Sequence, residues 1–209
     1  MADKEILIFV EGPSDKVFLE AYLYFLEDIP IKNFKVKDVT GKDNLSKRLL
    51  EIEKYDKTLI IFDADKDYES NKKEILSKTQ QKITEEQIFL FPNNQDDGDL
   101  ETLLLEIAKH DEFLKCFEGY LECIKSKEHY KPIKNISKSK WYAYLEVFGL
   151  ENLTKIDIFD NESKIKNKHE ENYRRLKEVI KFNSKSLIPL KNFLGQFAEN
   201  KQKTKLKIF

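Results

Sequence analysis

The sequence predicts an α/β fold with a mostly parallel, four-stranded sheet and a helical C-terminal extension. Three short apolar runs do not alternate with polar residues, which is typical of parallel strands buried on both faces. These runs are Ile6–Val10, Leu59–Phe62 and Ile88–Phe91. A fourth run, Phe34–Val39, alternates between apolar and polar residues. It predicts a strand with one face in water, near an edge of the sheet.

Helical patterns separate these runs, so strands and helices alternate along the chain as in a parallel sheet. Apolar residues recur at helical spacing in 17–26 and 45–53, and the polar segment 68–81 is weakly helical. Beyond Pro92, helical patterns follow in 100–109, 113–124, 140–148, 170–181 and 186–197. The predicted organisation is an α/β domain over 1–105, a helical part over 106–198 packed on it, and a basic tail over 199–209.

The composition limits the class of protein. Of the 209 residues, 40% are apolar and 12% aromatic, which is enough to build a core and excludes global disorder. No apolar run approaches the roughly 18 residues that a membrane span needs, and the start of the chain lacks a signal-peptide pattern. We therefore expect a cytoplasmic protein without a membrane partner. The net charge of -1 divides into about -7 for residues 1–149 and about +6 for 150–209.

Carboxylates follow three of the predicted strands. The candidates are Glu11, Asp15, Asp63, Asp65, Asp99 and Glu101. The carboxyl ends of parallel strands meet at one edge of a sheet, where such folds bind ligands. Neighbouring carboxylates repel one another, so a cluster of them calls for a cation or for protonation. Hard oxygen ligands favour Mg²⁺ or Mn²⁺, although each acid alone also fits a solvated turn.

Basic residues near the same edge are candidates for binding phosphate. Lys42, in TGKDN after the second strand, either steadies a phosphate or is a loop lysine. Lys138 and Lys140 either bring positive charge to a leaving oxygen or are solvated. In the basic segment, Arg174 and Arg175 are the candidates for nucleic-acid contacts.

Two further features have structural interpretations. Trp141, with tyrosines at 142 and 144, has the residue types that stack on bases, but its helical spacing favours a core face. Cys116 and Cys123 are too few for a disulfide framework. Seven residues apart on a helix, they are predicted to be core thiols.

The pattern VEGPSD after the first strand and IIFDADKD at a later strand resembles the TOPRIM domain. That metal-binding α/β domain carries a Glu at the end of one strand and an Asp-x-Asp at the end of another, which Glu11, Asp63 and Asp65 match. The EGPSD form is most similar to OLD-type nucleases, a resemblance that implies a metal ligand at Asp15. GDLETLL resembles their later acidic motif, which implies a ligand at Glu101 and a possible one at Asp99.

The resemblance implies a Rossmann-like TOPRIM sheet and a nuclease that uses Mg²⁺ or Mn²⁺, with two ions expected. The implied catalytic residues are Glu11, Asp63 and Asp65, and Lys140 is the candidate partner for the developing charge. Over its whole length, the chain resembles a stand-alone TOPRIM-like group of bacterial proteins.

Alternatives stay open. No GxxxxGK[ST] motif occurs, so an ATPase is absent from this sequence. A non-cleaving module that binds nucleic acid or a nucleotide beside a partner ATPase, as in phage defence, is the second hypothesis. A small-molecule phosphotransferase or phosphatase is the third. The sequence leaves DNA versus RNA and the oligomeric state open.

Overall fold

The computed structural model describes residues 6–26, 34–155 and 170–198. Its centre is a sheet of four strands: β1 (Ile6–Val10), β2 (Phe34–Asp38), β3 (Lys57–Asp63) and β4 (Ile88–Phe91). The strand order is β2-β1-β3-β4, and every neighbouring pair is parallel. The predicted α/β fold with a parallel, Rossmann-like sheet is therefore confirmed.

The burial of the strands explains their sequence patterns. Both faces of β1, β3 and β4 are covered, so side chains that point in opposite directions are equally buried. Ile8 and Ile61 belong to one hydrophobic cluster, whereas Phe9 and Ile60 belong to a second cluster on the opposite face. On β2, only Val36 is buried and Lys35 is exposed, which confirms the predicted edge strand.

Helices fill the two faces of the sheet. They are α1 (Pro13–Phe25), α2 (Leu49–Ile52), α3 (Tyr68–Lys78), α4 (Leu100–Glu106), α5 (Asp111–Lys125), α6 (Ile136–Val147), α7 (Glu170–Val179) and α8 (Ile188–Gly195). The predicted helix over 45–53 is divided between a 3₁₀ segment, Lys42–Arg48, and the single α-helical turn α2 that follows it. The helix predicted over 140–148 begins earlier, where the Asn135 side chain accepts a hydrogen bond from the Lys138 N–H.

One hydrophobic cluster joins a face of the sheet to α1, α4, α6, α7 and α8. Trp141 and Tyr144 lie inside it with stacked rings 5.4 Å apart, so the interpretation of these aromatics as a core face is confirmed. The helical part thus packs directly on the sheet and shares its core. The opposite face is covered by α3 and the segment 42–52.

Helix α5 lies at the periphery, and its cysteines contradict the sequence prediction. Cys116 and Cys123 are exposed, not buried. The buried positions of this helix are Leu114 and Leu121. Each cysteine follows one of these leucines by two residues, and positions two apart on a helix point in nearly opposite directions. The spacing of the cysteines was therefore right for one shared face, but that face is the outer one.

The order of the strands creates a switch point between β1 and β3. From β1 the chain moves to β2 on one side, and it then crosses to β3 on the other side. Open α/β sheets bind their ligands at such a point, beyond the carboxyl ends of the strands. Within the described parts of the chain, we found no helix with the length and apolar character needed to cross a bilayer.

Candidate metal centre

Two carboxylates lie at the switch point because each follows the end of a central strand. Glu11 comes directly after β1, and Asp63 is the last residue of β3. The register pairs Val10 with Ile61, so the two acids follow neighbouring positions on adjacent strands. The Oε2 atom of Glu11 is buried and has no hydrogen-bond partner among the described residues. A buried carboxylate oxygen without a partner is costly, which makes it a candidate ligand atom.

Two more carboxylates come from the first turns of helices. Asp15, in the first turn of α1, accepts a hydrogen bond of 2.8 Å from the Gly12 N–H. Glu101, in the first turn of α4, has 7% of its surface exposed. The N-terminus of α4 also faces Asp63, whose Oδ1 accepts a 2.9 Å hydrogen bond from the Leu100 N–H. Helix N-termini carry partial positive charge, which helps the fold tolerate these acids.

Two of these groups have strongly raised pKa values. Burial, together with the charges of Asp15 and Glu11, raises the pKa of Asp63 to about 9. Burial, together with repulsion from Glu101 and Glu11, raises the pKa of Asp15 to about 7. The N–H bonds from Leu100 and Gly12 act in the opposite direction but are weaker than burial. The charge of Asp15 therefore acts on Asp63, which requires the two carboxyl groups to lie close together.

The other two acids have nearby lysines. Burial raises the pKa of Glu11, and the Lys42 ammonium is the largest opposing influence. Burial raises the pKa of Glu101, and Lys138 opposes that rise. Asp63 is influenced by the charges of the other three acids, and we call the four together the acidic cluster. It consists of Glu11, Asp15, Asp63 and Glu101.

The acidic cluster has the chemistry of a site for a hard divalent cation. Its donors are carboxylate oxygens, which Mg²⁺ and Mn²⁺ prefer. Among the residues that the structure describes, no three such side chains stand in the arrangement of a complete metal site. Asp15 and Asp63 each direct one oxygen at a backbone N–H group. The donor types in the acidic cluster suit a hard divalent cation, and their present positions do not form a complete coordination shell.

The remaining two predicted ligands have other partners. Asp65, 55% exposed, forms an ion pair with Lys42, and its backbone makes two 2.7 Å hydrogen bonds with Gly98. Asp99 is the N-cap of α4, and its Oδ1 accepts hydrogen bonds from the Thr102 N–H at 2.8 Å and from its hydroxyl at 2.6 Å. These contacts place both residues beside the acidic cluster, with part of their hydrogen-bonding capacity already in use.

The two predicted lysines of α6 contact different acids. Lys138 approaches Glu101 to 3.8 Å and is 51% exposed, so it brings positive charge to the edge of the acidic cluster. Lys140 instead pairs with Glu118 on α5. Because residues two apart on a helix do not share a face, one lysine faces the acids and the other faces α5. Of the two lysines, Lys138 is therefore the one near the acids, and a catalytic role for Lys140 stays a prediction.

The two predicted arginines lie on α7, and the described contact of Arg175 is away from the acids. A guanidinium nitrogen of Arg175 donates to the Phe148 carbonyl at the end of α6. Arg175 therefore helps to hold α7 on α6, and Arg174 is exposed.

Some residues at the site carry no sequence motif. Asn71 of α3 accepts a 2.7 Å hydrogen bond from the Lys42 ammonium and donates to the Ala64 carbonyl. The hydroxyls of Ser14 and Tyr142 lie 2.9 Å apart and link α1 to α6 beside the acids. Both contacts join segments far apart in sequence, so no local pattern reveals them.

A polar cleft of about 580 Å³ opens beside these residues. Its lining comes from the loops after β3 and β4, from α3 and from the start of α6. The lining residues are Asp65, Lys66, Asp67, Ser70, Asn71, Gly98, Asp99 and Asn135. Every lining residue except Gly98 has a polar or charged side chain, so the cleft offers hydrogen-bonding groups to a ligand.

The comparisons with known proteins give a family and no activity. A family model described as "Protein of unknown function (DUF3226)" matches residues 5–199. The search of curated proteins found no match, and the search of solved structures found none. The matched region spans nearly the whole chain, and the protein belongs to this family of unknown function.

Proposed function

We propose that the protein is a nuclease that hydrolyses phosphodiester bonds of DNA or RNA with Mg²⁺ or Mn²⁺ at a TOPRIM-like acidic site. The observation that carries the proposal is the acidic cluster itself. Four carboxylates are gathered at the switch point of a parallel sheet, and burial raises the pKa of each. Such a cluster destabilises a protein in the absence of a cation, and groups with perturbed pKa values concentrate at functional sites.

Within this proposal, Glu11 and Asp63 are the principal ligands. They follow adjacent strands, and Glu11 has a buried oxygen without a hydrogen-bond partner among the described residues. A bound divalent ion supplies Lewis acidity toward a phosphate oxygen and a more acidic water. Asp15 and Glu101 add negative charge around that position from the first turns of α1 and α4.

The surroundings of the acidic cluster support a nucleic-acid substrate. The cleft beside the acidic cluster is lined mostly by residues with polar side chains. Lys138 lies half exposed next to Glu101 of the acidic cluster. An ammonium group in this position attracts a backbone phosphate and offsets the negative charge that would repel it. Arg174, exposed on α7, is assigned to more distant backbone contacts.

The test is cleavage of plasmid DNA, linear DNA and RNA in Mg²⁺, Mn²⁺ or EDTA. Wild-type protein is compared with Glu11→Gln and Asp63→Asn, and Asp111→Asn is the control because Asp111 is an exposed acid on α5. We expect cutting that requires metal, that falls by at least about 100-fold in both site variants, and that persists in the control.

Two other outcomes would redirect the proposal. Metal-dependent binding of nucleic acid without cleavage would support the non-cleaving module that acts with a partner ATPase. Cleavage that is unchanged in both Glu11→Gln and Asp63→Asn would remove the acidic cluster from the reaction.

A further inference from the structure

We propose that the Lys42 ammonium acts as a built-in second cation of this site, so that the site binds one divalent ion instead of two. This inference rests on the proposed metal-dependent function and specifies how many ions it uses. In this arrangement Glu11 and Asp63 hold the ion, and Lys42 neutralises Asp65.

The first argument is the contact between Lys42 and Asp65. The Lys42 ammonium forms an ion pair with the Asp65 carboxylate. The lysine side chain is only 13% exposed, so it is packed into the site and does not extend into solvent. A surface lysine that meets an aspartate by chance usually remains mobile and exposed. Lys42 is instead directed at Asp65, which lies just beyond the carboxyl end of β3.

The second argument is that the fold fixes the ammonium from two sides. Gly41 has a φ of +101°, and its N–H donates a 3.0 Å hydrogen bond to the Glu11 carbonyl. This turn directs Lys42 from the end of β2 toward β1 and β3. On the other side Asn71 accepts a 2.7 Å hydrogen bond from the ammonium, and its own amide is held by the Ala64 carbonyl.

The third argument is electrostatic. The Lys42 ammonium places a fixed positive charge against Asp65, and the hydrogen bond from Gly41 to the Glu11 carbonyl keeps the backbone of this lysine beside the end of β1. A divalent ion placed on Asp65 would lie next to a fixed positive charge and would be repelled. A divalent ion near Asp63 would meet carboxylates on its other sides.

The number of bound ions tests this inference directly. Mn²⁺ is titrated into the full-length protein by calorimetry, and bound Mn²⁺ is counted independently by electron paramagnetic resonance. We expect one ion per wild-type chain and two per chain in Lys42→Gln, since the substitution frees Asp65. The control is Lys78→Gln, which removes a lysine paired with Asp43 and Glu74 on the outer surface, and it should bind one ion.

A second variant keeps the test informative if Lys42→Gln fails to fold. Asp65 is more than half exposed, and Asp65→Asn should bind one Mn²⁺ with an affinity within about threefold of wild type. An affinity loss of about 10- to 100-fold would identify Asp65 as a ligand and overturn the inference.

The failures of this inference and of the proposed function are distinguishable. Two ions bound by wild-type protein, or one ion bound by folded Lys42→Gln, would overturn the role of Lys42 alone. No bound Mn²⁺ in any of the proteins would overturn both this role and the metal-dependent function.

Discussion

Replacing Asp63 with asparagine is expected to stabilise the metal-free protein while it impairs the proposed metal site. Burial, with the charges of Asp15 and Glu11, raises the pKa of Asp63 from 3.8 to about 9. At pH 7 the folded protein therefore keeps this carboxyl group protonated, whereas the unfolded chain releases the proton. The difference between pH 7 and a pKa of 3.8 corresponds to about 4 kcal/mol, at roughly 1.4 kcal/mol per pH unit.

Asparagine avoids this cost because it is neutral at every pH. It also keeps a side-chain oxygen that can accept the hydrogen bond from the Leu100 N–H. Asp15 contributes to the raised pKa of Asp63, and its own charge and burial remain after the substitution. The expected gain in unfolding free energy is therefore about 2–4 kcal/mol. For a chain of this size that gain raises the melting temperature by about 6–12 °C.

The pH dependence follows from the protons bound in each state. Between about pH 4 and pH 9, the folded state holds a proton on Asp63 that the unfolded state releases. Wild-type stability therefore falls as the pH rises through this window. The free energy of unfolding of Asp63→Asn should exceed that of wild type only slightly near pH 4.5, and the difference should grow toward pH 8.

The assay is thermal unfolding followed by circular dichroism in EDTA at pH 5, 6.5 and 8. Asp111→Asn is the matched control, because hydrogen bonding to Lys115 lowers the pKa of Asp111 and its replacement should give no stabilisation. The reasoning would be refuted if Asp63→Asn were no more stable than wild type at pH 8. A gain that was the same at pH 5 and pH 8 would also refute it.

Three further predictions concern the metal and the packing. Mn²⁺ should raise the melting temperature of wild type more at pH 8 than at pH 6, because binding displaces protons from the acids; an equal rise would contradict this. Gly98→Ala should lower the free energy of unfolding, measured in urea, by about 1–3 kcal/mol, since φ is +144° and a Cβ would lie 3.0 Å from Pro92. Gly119→Ala is the control, because Gly119 lies on α5 with open space around it, and it should cause no such loss. Trp141→Ala should lower the free energy of unfolding by about 3–5 kcal/mol, whereas Tyr120→Ala, at an exposed position, should lower it by less than about 1 kcal/mol. Similar losses in the two variants would contradict the placement of Trp141 in the core.

The sequence predicts the sheet well because buried parallel strands leave a strong local signal. Ile6–Val10 and Ile88–Phe91 were predicted with the bounds observed, and Phe34–Val39 was correctly predicted as an edge strand apart from its last residue. The positions of Glu11 and Asp63 follow from those strands, because a residue at the carboxyl end of a parallel strand has little choice of location.

The partners of the site residues depend on loop paths and helix rotation, which the sequence does not reveal. The ion pair of Lys42 with Asp65 depends on the turn at Gly41 and on Asn71. Lys138 and Lys140 pair with different acids because of how α6 is rotated against its neighbours. Tertiary contacts decide these details, and residue spacing alone carries no information about them.

The most direct test of the central claim is an anomalous difference map from crystals of the full-length protein grown with MnCl₂. The account predicts a peak within about 2.3 Å of side-chain oxygens of both Glu11 and Asp63 at the carboxyl ends of β1 and β3. A map that showed no manganese at these residues, from protein saturated with Mn²⁺, would contradict the assignment of the acidic cluster as a metal centre.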